Sequence, residues 1–124
     1  MEMEKITING KTYVPEEMAQ AQAVNTEGMR YVIVRTYSAG VHIGYLADQS
    51  KDGKRVKLIG SRRVWYWSGA FTLSEISHNG VSDPDNCKFS ITIPEIDLTE
   101  AIEIIPCTEK AMDILKAVKA YDAK

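Results

Sequence analysis

The strongest constraint on how this chain can fold is a series of short β-branched and aromatic runs, most of them cut off by a glycine or a proline. Tyr31-Val32-Ile33-Val34-Arg35-Thr36-Tyr37 is the clearest. Such residues suit a pleated, half-buried surface, so the run predicts a strand. Ser38-Ala39-Gly40 then predicts a tight turn, and residues 41–46 a returning strand. With Ala39-Gly40 as the loop, Arg35 would face Gly44 across the pair, with open space over the arginine. Asp52-Gly53 marks another turn and Lys54-Arg55-Val56-Lys57-Leu58-Ile59 another strand. Gly60 predicts a bulge that re-aims the chain. Further strands are expected over 88–93, stopped by Pro94, and over 101–105, stopped by Pro106. Near the start, residues 6–14 alternate on both sides of Asn9-Gly10, a strong hairpin signal ended by Pro15. Residues 16–28, rich in Ala, Gln and Glu, fit a short helix or a surface loop.

Helical signals fall between and after these runs. Thr72 and Glu75 have capping-box spacing, predicting a helix over 71–79 with Asn79-Gly80 as its stop. A polar loop follows over 81–86. Thr108 caps a C-terminal helix, with Glu109 favourable in its first turn. Ala111, Ile114, Leu115, Val118 and Tyr121 give that helix an apolar stripe, to be covered by its own sheet or by a second chain. Self-association is expected. No internal repeat or linker interrupts the chain, so residues 1–124 form a single domain, long enough for a real core. The fold class is α+β: a mainly antiparallel β-sheet with a short helix after the Arg/Trp strand and a C-terminal helix.

Composition removes several functions. A net charge of −2 argues against general DNA or RNA binding, which carries a basic excess. No apolar run approaches a membrane span, and the acidic N-terminus has no signal-peptide core. The two cysteines, Cys87 and Cys107, lack metal-like spacing and suit a reducing cytoplasm.

The chemistry concentrates in Ser61-Arg62-Arg63-Val64-Trp65-Tyr66-Trp67-Ser68-Gly69-Ala70-Phe71, which holds both tryptophans and two adjacent arginines. Guanidinium forks match phosphate oxygens, and aromatic faces stack on flat heterocycles. Period-two alternation puts Arg63, Trp65 and Trp67 on one face and Arg62, Val64 and Tyr66 on the other. The residue types assign phosphate binding to Arg35, Arg62 and Arg63. They assign base stacking or enclosure to Trp65, Trp67 and Phe71, and oxygen contacts at the helix start to Ser68 and the Gly69 backbone.

Each assignment has a plainer counterpart. Trp65 and Trp67, sharing a face, are either both core or both pocket; Tyr66 is the structural one. Paired arginines also protect a strand edge. Arg35, inside an apolar strand, needs a carboxylate or a ligand as partner. Phe71 suits core packing, and Ser68 and Gly69 suit a turn. His42 and His78 are isolated and read as structural. The acidic run Glu95, Asp97, Glu100 and Glu103 reads as a solvated face, and Cys107 as buried rather than activated. No Walker loop, dinucleotide fingerprint or Gly-x-Ser-x-Gly elbow is present, and no catalytic or metal constellation is evident, so neither enzymatic activity nor a cofactor is expected.

The segments Tyr31 through Gly44, Arg62 through Glu75, and Ala101-Ile102-Glu103-Ile104-Ile105-Pro106-Cys107-Thr108-Glu109 together resemble small phage proteins of the first Thoeris anti-defence type. The resemblance spans roughly residues 29–111. It implies a sponge that binds a cyclic ADP-ribose isomer made by a bacterial TIR-domain protein, and holds it without degrading it, in the cytoplasm of the infected host. It further implies dimers or larger homo-oligomers joined through C-terminal helices, and uptake of cyclic oligonucleotides at a second site. The competing functions are a nucleotide-degrading enzyme, a protein-interaction module with an aromatic core, and a single-strand nucleic-acid binder.

Overall fold

The computed structural model describes residues 6–8, 11–13 and 21–122. Strands β1 (Ile6–Ile8) and β2 (Lys11–Tyr13) pair antiparallel, with Ile8 opposite Lys11, as a two-residue hairpin connection requires. The Asn9-Gly10 turn, Pro15 and residues 16–20 lie outside the described residues. Residues 21–28 form no helix. They run as a loop held by isolated bridges from Gln22 to Thr108 and from Val24 to Arg30.

The main sheet is built from β3 (Tyr31–Thr36), β4 (Val41–Gln49), β5 (Val56–Tyr66), β6 (Lys88–Phe89), β7 (Ile93–Leu98) and β8 (Ala101–Pro106). Its order is β6-β5-β4-β3-β8, with β7 also pairing β5, and every ladder is antiparallel. Helices α1 (Leu73–Asn79) and α2 (Glu109–Ala117) complete an α+β fold.

The continuous apolar run of β3 serves two cores, because successive strand residues face opposite sides. Tyr31 and Ile33 join Ile43, Val64 and Phe89 beneath Ile76 of α1 and Ala111 and Leu115 of α2. Val32 and Val34 join Val56, Leu58, Leu98 and Ala101 on the other face. Strands β7 and β8, joined at Thr99-Glu100, flank β5 and β3 respectively, so the sheet curls around this second core.

Bulges govern which residues of β5 enter which core. Ile43 pairs Arg62 while Tyr45 pairs Ile59, so β5 carries one extra residue at Gly60-Ser61. Gly60 has φ +59°, a left-handed conformation that glycine adopts without steric cost. Downstream, Val64 pairs Phe89 but Tyr66 pairs Lys88, so a second bulge falls at Trp65.

Several expectations need correction. Arg35 pairs Val41, and it is Val32 that faces Gly44. The connection spans residues 37–40 rather than Ala39-Gly40 alone. Thr36 Oγ1 accepts from the Ala39 N–H and donates to the Gly40 carbonyl, both at 2.8 Å, which holds the longer loop. Gly44 does not open space over an arginine: a Cβ there would lie 3.1 Å from the Ile59 carbonyl oxygen and 3.3 Å from the Leu58 Cβ. The strand expected over 88–93 is only Lys88–Phe89, and Pro94 lies inside β7. Pro94 falls opposite the Gly60 bulge, between the Ile59–Glu95 and Ser61–Ile93 pairs, one of the few places a sheet tolerates proline.

Both helix caps form as predicted. Thr72 Oγ1 accepts from the Glu75 N–H, and Glu75 Oε1 in turn accepts from Phe71 N–H, one residue before the cap. Thr108 Oγ1 accepts from the Ala111 N–H at 3.0 Å and donates to the His78 carbonyl at 2.8 Å, tying the start of α2 to the end of α1. Of the expected apolar stripe, Ala111 and Leu115 of α2 and the capping residue Val118 are buried in the first core. The helix ends at Ala117, so Tyr121 is not part of it.

Candidate functional site

The bulge at Trp65 has a direct chemical effect. Where two residues of one strand oppose a single partner, strict alternation is lost and both side chains are re-aimed. Trp65 and Tyr66 are 71% and 51% exposed, and both rings flank Lys88. The Lys88 Nζ lies 5.0 Å from the Trp65 ring and 6.0 Å from the Tyr66 ring. A third ring arrives from beyond α2: Ala120 bridges Phe89 in parallel, and the Tyr121 N–H donates to the Phe89 carbonyl at 2.8 Å. This sets the Tyr121 ring 5.0 Å from the same ammonium.

Arg63 closes the other side. Its backbone N–H donates to Ser90 Oγ at 2.7 Å and its Nη1 to the Ala39 carbonyl at 3.2 Å, while the side chain stays exposed. Arg63, Trp65, Lys88, Phe89, Ser90 and Tyr121 line an open groove of about 340 Å³. Its size falls at the low end for small-molecule sites. Aromatic faces beside two cations can take a flat ring bearing a negative charge.

Arg62, next in sequence, has another task. It is buried; Nε donates to the Ser90 carbonyl and Nη1 to the Leu115 carbonyl, each at 3.0 Å. Its guanidinium lies 5.2 Å from the Phe89 ring. Burial lowers its pKa, an effect that neighbouring Tyr31 opposes. The fork thus binds the last turn of α2, where a cation complements the free carbonyls.

The remaining residues singled out by sequence lie apart from the groove. Arg35 Nε pairs with Glu103 Oε1 at 2.9 Å across β3 and β8, supplying the carboxylate partner its position called for. Trp67 is half-buried against the first core, its Nε1 donating to the Ala70 carbonyl at 3.2 Å. The two tryptophans therefore do not share an environment. Ser68 Oγ donates to Asp83 Oδ2 at 2.9 Å, and the Gly69 carbonyl accepts from Ser82 N–H and Oγ–H. A side chain on Gly69 would collide with the Ser82 and Asp83 backbone. Phe71 is 87% exposed and lines no part of the groove. Of the eight residues, the structure brings together Arg63 and Trp65, and adds Lys88 and Tyr121. The apolar stripe included Tyr121 as a helical position; nothing local marks Lys88.

His42 sits opposite Arg63 on β4, buried, with Nε2 2.9 Å from the same Ala39 carbonyl. Burial holds its pKa below the ordinary value of 6.5, and nearby Arg63 adds to this. Burial pushes the Cys107 thiol up to about 12 and raises that of Cys87, so neither carries the lowered pKa of an activated thiol. The acidic run meets bases: Glu95 lies 3.4 Å from Lys57 and Asp97 4.0 Å from Arg55. Among the described residues, no three His, Cys, Asp or Glu side chains are placed to hold a metal ion, and no helix is long and apolar enough to cross a membrane.

A family model described as a domain of unknown function, DUF6948, matches residues 29–115. No curated protein and no solved structure matches the chain.

Proposed function

The chain belongs to the DUF6948 family, whose function is undescribed, and we propose from its residues that it is a nucleotide-signal sponge. It binds a cyclic ADP-ribose isomer made by a bacterial TIR-domain protein and sequesters it intact, as a phage anti-defence protein in the host cytoplasm. The observation that carries this reading is one groove in which the exposed Trp65 and Tyr121 rings stand beside Arg63 and Lys88. The sequence resemblance to Thoeris anti-defence proteins points to the same ligand.

The chemistry follows from the residues. One Arg63 nitrogen is held by the Ala39 carbonyl, which orients the fork and leaves its other donors for a diphosphate. The face of Trp65 that borders the groove takes the adenine ring, with Tyr121 beside it. A sponge works by stoichiometry, so affinity decides its effect. A nanomolar dissociation constant corresponds to about 12 kcal/mol, within reach of charge-assisted contacts plus stacking in a preorganised groove. Self-association is part of the proposal; Tyr37, Phe71 and Ile91, at 78%, 87% and 66% exposure, offer apolar surface for it. So is a second site for cyclic oligonucleotides.

Calorimetric titration with a cyclic ADP-ribose isomer, then heating and chromatography of the released ligand, tests the reading. Stoichiometric binding with intact ligand recovered is expected. Arg63→Ala should weaken it at least about tenfold, one charge-assisted contact, with unchanged circular dichroism. A chemically altered product would make the protein an enzyme. Absence of heat with every isomer and cyclic dinucleotide would overturn the sponge and favour an interaction module.

A further inference from the structure

Within the groove one ammonium is shared by three rings: Lys88 Nζ lies 5.0, 5.0 and 6.0 Å from Trp65, Tyr121 and Tyr66. We propose that Lys88 determines specificity here by capping the aromatic faces in the free protein, and that a flat base stacks only after the ammonium moves from the rings to the ligand's phosphate. The inference rests on the nucleotide reading of the groove.

The two cations of the groove differ in freedom. Arg63 is tied down by its backbone bond to Ser90 and its side-chain bond to Ala39. Lys88 carries its charge on a flexible four-carbon stem with rotatable donors. An uncharged heterocycle entering the groove must break the cation–π contacts and gives the ammonium nothing in return. A nucleoside diphosphate exchanges those contacts for charge-assisted N–H···O bonds, which are stronger. Base and diphosphate are therefore recognised together. The groove discriminates against neutral nucleosides and against cationic rings, which would compete with the ammonium for the same faces.

Lys88→Met keeps the length and apolar stem and removes the charge. Calorimetry on both proteins, with adenosine and with ADP as probes, should give opposite changes. Adenosine should tighten about fivefold, since the rings are uncapped. ADP should weaken at least about tenfold, since one charge-assisted partner is lost. Changes of the same sign for both probes, or no change, would overturn the proposal. A second readout uses the unmodified protein. The Lys88 ε-methylene protons should be shifted upfield by the rings, and should move toward the unshifted position as inorganic pyrophosphate is added. Unshifted protons in the free protein, or shifted ones indifferent to pyrophosphate, would refute the cap even if Lys88→Met fails to fold. Failure of both adenosine and ADP to bind either protein would count against the nucleotide reading, while the pyrophosphate arm still decides Lys88. Normal ADP binding with unshifted Lys88 protons would remove the cap and leave the sponge standing.

Discussion

Replacing Arg62 by alanine should unfold the protein more readily without acting through the ligand. Two hydrogen bonds from a charged donor are lost, to the Ser90 and Leu115 carbonyls at 3.0 Å each. Bonds of this kind contribute roughly 1.5–3 kcal/mol apiece, and the contact with the Phe89 ring about another 1. Two effects reduce the sum. The Leu115 carbonyl keeps a second donor, the Val118 N–H at 3.3 Å. Removing a buried guanidinium also recovers part of its desolvation cost. A net loss of about 3 kcal/mol remains, a large fraction of the 5–15 kcal/mol typical of a domain. The midpoint of thermal unfolding should fall by roughly 10 °C. Urea unfolding followed by tryptophan fluorescence measures the loss, with Arg63→Ala as control, because that exposed neighbour should shift stability by under about 0.5 kcal/mol. A loss below about 1 kcal/mol for Arg62→Ala would refute the helix-anchoring role. Unchanged stability combined with lost ligand binding would return Arg62 to the binding set.

Gly80 combines φ +75° with a position where a Cβ would lie 2.9 Å from the Ile114 Cβ. Gly80→Ala should therefore cost about 2 kcal/mol in thermal or urea unfolding, and an unaltered midpoint would mean that α1 and α2 pack differently. His42 is held below its ordinary pKa of 6.5 by burial, so the unfolded chain binds the extra proton first. Its stabilising contribution is complete above 6.5 and is lost as pH falls through the lower, folded pKa. Urea midpoints should decline as pH falls from 6.5 toward the folded pKa, and His42→Gln should flatten this part of the profile; an unchanged slope would reassign it to the carboxylates.

How far the sequence carried depends on whether the decisive contacts are local. The strand at Tyr31, the caps at Thr72 and Thr108 and the bulge at Gly60 are written in neighbouring residues, and each was legible. The loop after Thr36 is not legible in this way, because a side-chain hydroxyl, not the Ala39-Gly40 pair, holds it. Alternation separated Arg62 from Arg63 correctly, but could not say which faced a core, since both sides of this sheet are buried along part of its length. The bulge at Trp65 has no glycine to announce it, so plain alternation groups Trp67 with Trp65 and leaves Tyr66 on the other face. Lys88 and Tyr121 reach the groove through a pairing with β5 and a bridge after α2, contacts between segments far apart in the chain.

The extra residue at Gly60 works like a shift of reading frame in a two-letter code. Val56 and Leu58 point into the second core, and uninterrupted pleating would send Arg62 and Val64 after them. The shift turns those two toward the helices and frees Arg63 and Trp65 for the opposite side. The identity of the groove is thus decided upstream, at a residue that touches none of its walls. Shortening β5 by that one position would exchange inner for outer along the rest of the strand, burying the groove-lining set and expelling the anchor of α2. Point substitutions within the groove can tune what it holds; the spacing around Gly60 decides whether there is a groove at all.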